Sequence, residues 1–111
     1  MRKFFYGKQK ISNQDINAVV RTLKSNVISQ GPELKKLESN VSKYFGAKYC
    51  VAVSSGTAAL HLSCLALNIK KPYYGLTSPI TFAATVNAIL ISGGSFNLVD
   101  IDKDDFNLKP E

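Results

Sequence analysis

Four consecutive residues, Ser54-Ser55-Gly56-Thr57, have the types and order that anion binding uses. They follow a short apolar run and precede a stretch of helix formers, so they read as a strand-to-helix turn. At such a turn the first N–H groups of the helix lack intrahelical acceptors, and the positive end of the helix dipole lies beside them. Gly56, Thr57 and Ala58 would present those groups to a phosphate, and the glycine lets the backbone approach closely. The same spacing suits plain helix capping by Ser55 or Thr57. Neither a Walker lysine nor a GxGxxG run is present, which argues against nucleoside triphosphates and dinucleotides.

A second turn, Thr77-Ser78-Pro79-Ile80-Thr81-Phe82, has a proline that stiffens it and an aromatic ring that could face a planar ligand; the alternative for Phe82 is a core ring. His61, the single histidine, lies in an apolar stretch without an acid or cysteine at ligand spacing, so it reads as a buried structural residue. Asp100, Asp102, Asp104 and Asp105 lack the glycine and terminal glutamate of a calcium loop and read as a solvated acidic turn. Cys50 and Cys64 have no CxxC spacing and read as buried thiols.

The elements that would hold these turns follow from periodicity. Ser12 and Asp15 form a capping-box pair ahead of Ile16, Val19, Val20 and Leu23, which share one helix face, with Ile11 and Ile16 as a staple. Pro32 suits the first position of a second helix through Leu34, Leu37, Val41 and Phe45, ended by Gly46. Tyr49–Val53 reads as a buried strand and Ala58–Leu67 as a helix apolar on nearly all sides, hence buried. Gly75–Ser78 reads as a second strand, Phe82–Ile91 as a helix and Ser95–Ile101 as a third strand. Strands alternating with helices predict a mainly parallel α/β sheet with helices on both faces.

The chain has 111 residues and a mass of 12.1 kDa, which predicts about one small domain. No apolar run reaches the length of a membrane-spanning helix, and Gly7-Lys8 interrupts the Phe4-Phe5-Tyr6 run before it resembles an export signal, so a cytoplasmic location without membrane association is expected. The charge of +6 is uneven: residues 1–50 carry ten Lys/Arg against three acids, and residues 51–111 carry four against five. Solvated helix faces account for this, and an anionic partner is the sharper alternative.

The run Tyr49-Cys50-Val51-Ala52-Val53-Ser54-Ser55-Gly56-Thr57-Ala58-Ala59-Leu60-His61-Leu62 resembles the phosphate-binding turn of sugar aminotransferases that use pyridoxal 5'-phosphate (PLP), the fold-type I DegT/DnrJ/EryC/StrS family. Ser29-Gln30-Gly31-Pro32, then Ser78 to Ile89, then Val99-Asp100-Ile101-Asp102 with Asn107-Leu108-Lys109-Pro110 resemble further family signatures, in order and across essentially the whole chain. Phe5-Tyr6-Gly7 and Leu23-Lys24-Ser25-Asn26 look most like the branch serving pseudaminic acid synthesis, which aminates C4 of a UDP-linked 4-keto-6-deoxy-N-acetylhexosamine. Lys70-Lys71-Pro72-Tyr73-Tyr74-Gly75-Leu76 departs from the family, which usually has an acidic, glycine-containing turn there.

The resemblance implies that Gly56, Thr57 and Ala58 hold the PLP phosphate and that Phe82 stacks on the pyridine ring. It also implies that Tyr6, Asn26, Val27, Ile28, Ser29 and Gly56 approach the nucleotide-sugar. A UDP-keto-sugar, an amino donor such as glutamate and a homodimeric state are the implied partners, with no nucleic acid. Residues 1–111 would be N-terminal helices plus the first part of the PLP-binding large domain. Transamination needs a lysine that binds the cofactor covalently and an acid that pairs with the pyridine nitrogen. In the family both come after the matched region, so the chain alone is expected to be inactive. The competing readings are a stand-alone basic module for a phosphate ligand or nucleic acid, and a truncated relic without function.

Overall fold

A computed structural model describes residue 5 and residues 7–109 of the chain. The chain divides into two compact units, one ending at Ala52 and the other starting at Val53, where composition alone predicted one domain. In the first unit lie α1 (Asn13–Leu23) and α2 (Pro32–Phe45). Ser12 starts α1 with a complete capping box: Asp15 N–H donates to its hydroxyl, and its own N–H donates to the Asp15 carboxylate at 2.8 Å. Ile11 and Ile16, the expected staple, are both exposed. Pro32 occupies the first turn of α2, and Gly46 closes it at φ 63°, a left-handed conformation that glycine adopts without a Cβ clash.

The second unit contains α3 (Gly56–Ala66), β1 (Tyr74–Thr77), α4 (Ala84–Ile91) and β2 (Ser95–Leu98). β1 and β2 pair in parallel, with Tyr74 opposite Ser95 and Thr77 opposite Leu98. α4 packs on both strands and on α3. Its Ala84, Ala88 and Ile89 form the core, and Ala88 is only 2% exposed. Small residues permit this packing: a Cβ on Gly75 would strike the Ile89 side chain, and one on Gly94 would lie 3.0 Å from Ile89 Cγ2 and 3.3 Å from its carbonyl oxygen. The α/β class and parallel pairing agree with expectation.

Five expectations need correction. Tyr49–Val53 is not part of any sheet among the described residues, because a strand exists only where a neighbour accepts and donates its hydrogen bonds, and β1 and β2 pair with each other alone. α3 buries none of its residues fully, although its sequence is apolar nearly all round: only α4 packs substantially on it. For the same reason His61 and Cys64 are half-buried rather than buried; Cys50 is half-buried too, and both thiols are free. The third strand stops at Leu98 instead of Ile101, and α4 starts at Ala84 instead of Phe82, since Phe82 and Ala83 still belong to the turn from β1.

After β2 the chain folds back through an antiparallel bridge between Ile101 and Leu108. The acidic cluster serves this turn: Asp102 Oδ1 accepts the Asp104 N–H at 2.7 Å, and Asp105 Oδ1 accepts the Asn107 N–H at 2.9 Å. No metal-binding cluster of His, Cys, Asp or Glu exists among the described residues. The carboxylates replace missing turn partners, as Asx residues commonly do.

Candidate functional site

Ser55 sets the geometry of the first turn. Its extended backbone halts α3, its carbonyl accepts the Ala59 N–H at 3.0 Å, and its hydroxyl accepts the Ala58 N–H at 3.1 Å. Of the three N–H groups expected at a phosphate, the one on Ala58 is therefore already engaged. Gly56 and Thr57 are exposed, and their N–H groups have no acceptor among the described residues. The first turn of α3 contains no acidic residue, so no carboxylate of that turn offsets the positive end of its dipole.

Phe82 enters from the turn after β1. Ser78 shapes that turn by accepting the Ile80 N–H on its hydroxyl at 2.9 Å, and the Phe82 carbonyl accepts the Thr85 N–H at 3.0 Å. The Phe82 side chain is 79% exposed, so the ring is presented and not spent on the core. Gly56, Thr57 and Phe82 line one open pocket of about 510 Å³, together with Ala59, Leu60 and Ala84. N–H groups without acceptors and an exposed aromatic ring thus line one pocket within the second unit. Glycine at 56 is demanded neither by backbone nor by packing: its φ is not left-handed, and a Cβ there would meet nothing within 4 Å.

In the first unit, Asn26, Val27, Ile28 and Ser29 form an exposed connection between α1 and α2. Ser25 ties it down, its hydroxyl donating to the Thr22 carbonyl at 2.7 Å and to the Val27 carbonyl at 3.2 Å. Val27 lines a cavity of about 330 Å³ with Arg21, Thr22, Ser25, Glu33 and Lys36, whereas Asn26, Ile28 and Ser29 do not line it. Tyr6 lies outside the described residues. Sequence reasoning missed Arg21 and Lys36 at this cavity because their spacing matched a solvated helix face. It also missed Glu38, whose Oε1 accepts the Ala52 N–H at 2.9 Å. The available signal was an acid on the apolar stripe of α2, four residues after Leu34 and three before Val41.

A parallel strand pair with packed helices defines an α/β protein, and in its second unit a helix start with two unpaired N–H groups lies beside an exposed ring. Residues 9–111 match the DegT/DnrJ/EryC1/StrS aminotransferase family, and the chain belongs to that family. It is 44% identical over 101 residues to an uncharacterized protein of Methanocaldococcus jannaschii, covering 91% of this chain and 26% of that one. It is 39% identical over 99 residues to the UDP-4-amino-4,6-dideoxy-N-acetyl-beta-L-altrosamine transaminase of Campylobacter jejuni, covering 89% and 26%. Among solved structures, Helicobacter pylori PseC, an aminotransferase involved in the biosynthesis of pseudoaminic acid, superposes with a TM-score of 0.80 at 28% identity, covering 97% of this chain and 29% of PseC. The chain spans about a quarter of the length of the curated relatives it matches.

Proposed function

We propose that residues 1–111 supply the N-terminal helices and the first part of the cofactor-binding domain of a PLP-dependent nucleotide-sugar aminotransferase. The observation that carries this reading is the cavity shared by Gly56, Thr57 and Phe82. PLP is a phosphate ester on a flat aromatic ring, and the cavity offers unpaired N–H donors together with an exposed ring. Bound there, the cofactor supplies an electron sink through which an amino group passes between an amino acid and a ketone. The chain's own residues bind and orient it. Gly56 and Thr57 donate their N–H groups to the phosphate, Ala58 keeps the turn closed through Ser55, and Phe82 covers one face of the ring and excludes water from it.

The substrate in this reading is a UDP-linked 4-keto-6-deoxy-N-acetylhexosamine aminated at C4, with glutamate as amino donor. The name of the Campylobacter jejuni relative and the 28% identity to PseC support it. Tyr6, Asn26, Val27, Ile28, Ser29 and Gly56 approach the nucleotide-sugar in a cytoplasmic homodimer. No lysine of this chain matches the family's cofactor-binding lysine, so residues 1–111 alone bind the cofactor without transferring an amino group.

Titration of the chain with PLP, followed by absorbance, tests the reading. Saturable binding competed by inorganic phosphate is expected, without amino transfer from glutamate. Binding that phosphate does not displace would remove the proposed phosphate site.

A further inference from the structure

Every side-chain hydrogen bond among the described residues joins positions within four of each other, with one exception. The exception is the bond from the Ala52 N–H to Glu38 Oε1, which spans fourteen positions. Both residues are half-buried. Glu38 lies on the apolar stripe of α2, where a carboxylate loses water and needs donors in exchange. Ala52 lies in the run 49–53, which is neither helix nor strand and has no sheet partner among the described residues, so its N–H needs an acceptor. Each group meets the other's requirement, and a charged acceptor makes this one of the stronger kinds of hydrogen bond.

Ala52 stands two residues before Ser54, where the anion turn starts. From these facts we infer that Glu38 is a positioning residue: by holding Ala52, it restricts the chain at its entry into Ser54–Ala58 and so orders the Gly56 and Thr57 N–H groups. The turn contains a glycine with freedom to spare, so an anchor immediately upstream removes conformations that would otherwise compete with binding. The consequence for ligand affinity rests on the proposed phosphate site, whereas the ordering of the turn does not.

The test compares Glu38→Met with Glu38→Gln in the 111-residue chain. Methionine keeps length and helix propensity but lacks the oxygen acceptor, which glutamine retains. Amide hydrogen exchange by NMR is read at Ala52, along α2, and at Ala58 and Ala59, whose N–H groups bond to Ser55; inorganic phosphate affinity is measured alongside. Glu38→Met should speed exchange at Ala52, Ala58 and Ala59 about fivefold and weaken phosphate binding by a similar factor, the size of one lost hydrogen bond. Glu38→Gln should be impaired clearly less on both readouts, since it keeps a neutral acceptor. Unchanged exchange at Ala58 and Ala59 in the methionine variant overturns the inference. So does a glutamine variant as impaired as the methionine one, or acceleration spread evenly over α2, which marks a purely structural role. A parent chain that binds no phosphate would remove the phosphate site, while the exchange data would still decide the role of Glu38.

Discussion

Gly56 and Phe82 are residues whose types the fold does not require, and each therefore separates binding from stability. Because a Cβ at 56 meets nothing within 4 Å, Gly56→Val should leave the unfolding midpoint unchanged. It should weaken PLP binding about tenfold, since a branched side chain fills the space through which the phosphate approaches the N–H groups. Equilibrium dialysis beside thermal unfolding checks both halves, and a loss of stability equal to the loss of affinity would reduce the turn to a helix cap. Phe82→Ala should likewise be near neutral for folding, because the ring is exposed. Losing a stacking contact of about 0.5–1.5 kcal/mol should raise the PLP dissociation constant roughly two- to thirteenfold. Unchanged affinity would return Phe82 to an ornamental position on the surface.

At the scale of elements, α1 depends on its capping box and α4 on two glycines. Hydrogen bonds from the Ser12 backbone and hydroxyl hold the Asp15 carboxyl below its usual 3.8. A carboxylate with a lowered folded-state pKa contributes stability that is present above 3.8 and is lost as pH falls through the lower folded value. The helical content of α1 should therefore decline only in that acid window, as followed by NMR shifts of Asp15 and its neighbours. Asp15→Ala should remove the acid transition and destabilise α1 at neutral pH. Gly94→Ala tests the other dependence: its Cβ would press on Ile69 Cγ2 at 2.9 Å and on the Ile89 carbonyl oxygen at 3.3 Å. Since the Ile89 carbonyl is backbone and cannot swing away, the substitution should cost about 1–3 kcal/mol in chemical denaturation.

At the scale of the whole molecule, the chain leaves 9990 Å² exposed. The α1 face of Ile16, Val19 and Leu23 is exposed, as are Phe45, Tyr49 and Val51. Surface of this kind drives association and binds hydrophobic dyes. The chain by itself should bind anilinonaphthalene sulfonate and self-associate as its concentration rises, as followed by fluorescence and sedimentation. A dye-free monomer at high concentration would contradict the exposed surface described above.

Local chemistry was legible in the sequence. Ser12 with Asp15 marked the start of α1, and Pro32 and Gly46 marked both ends of α2, because caps and turns depend on a few neighbouring residues and need no distant partner. The order Ser55, Gly56, Thr57 likewise marked a helix start, and Ser55 proved to be its cap. What needs a partner far along the chain could not be read this way. Tyr49–Val53 has strand composition but no strand beside it, α3 is apolar all round yet lacks enough neighbours to bury it, and only folding shows Phe82 presented beside Gly56 and Glu38 reaching Ala52. The sequence by itself determined the caps, the turns and the helical periods, since these energies are local. The tertiary structure alone decided burial, pairing and the meeting of ring with turn, since those depend on which distant surfaces fold together.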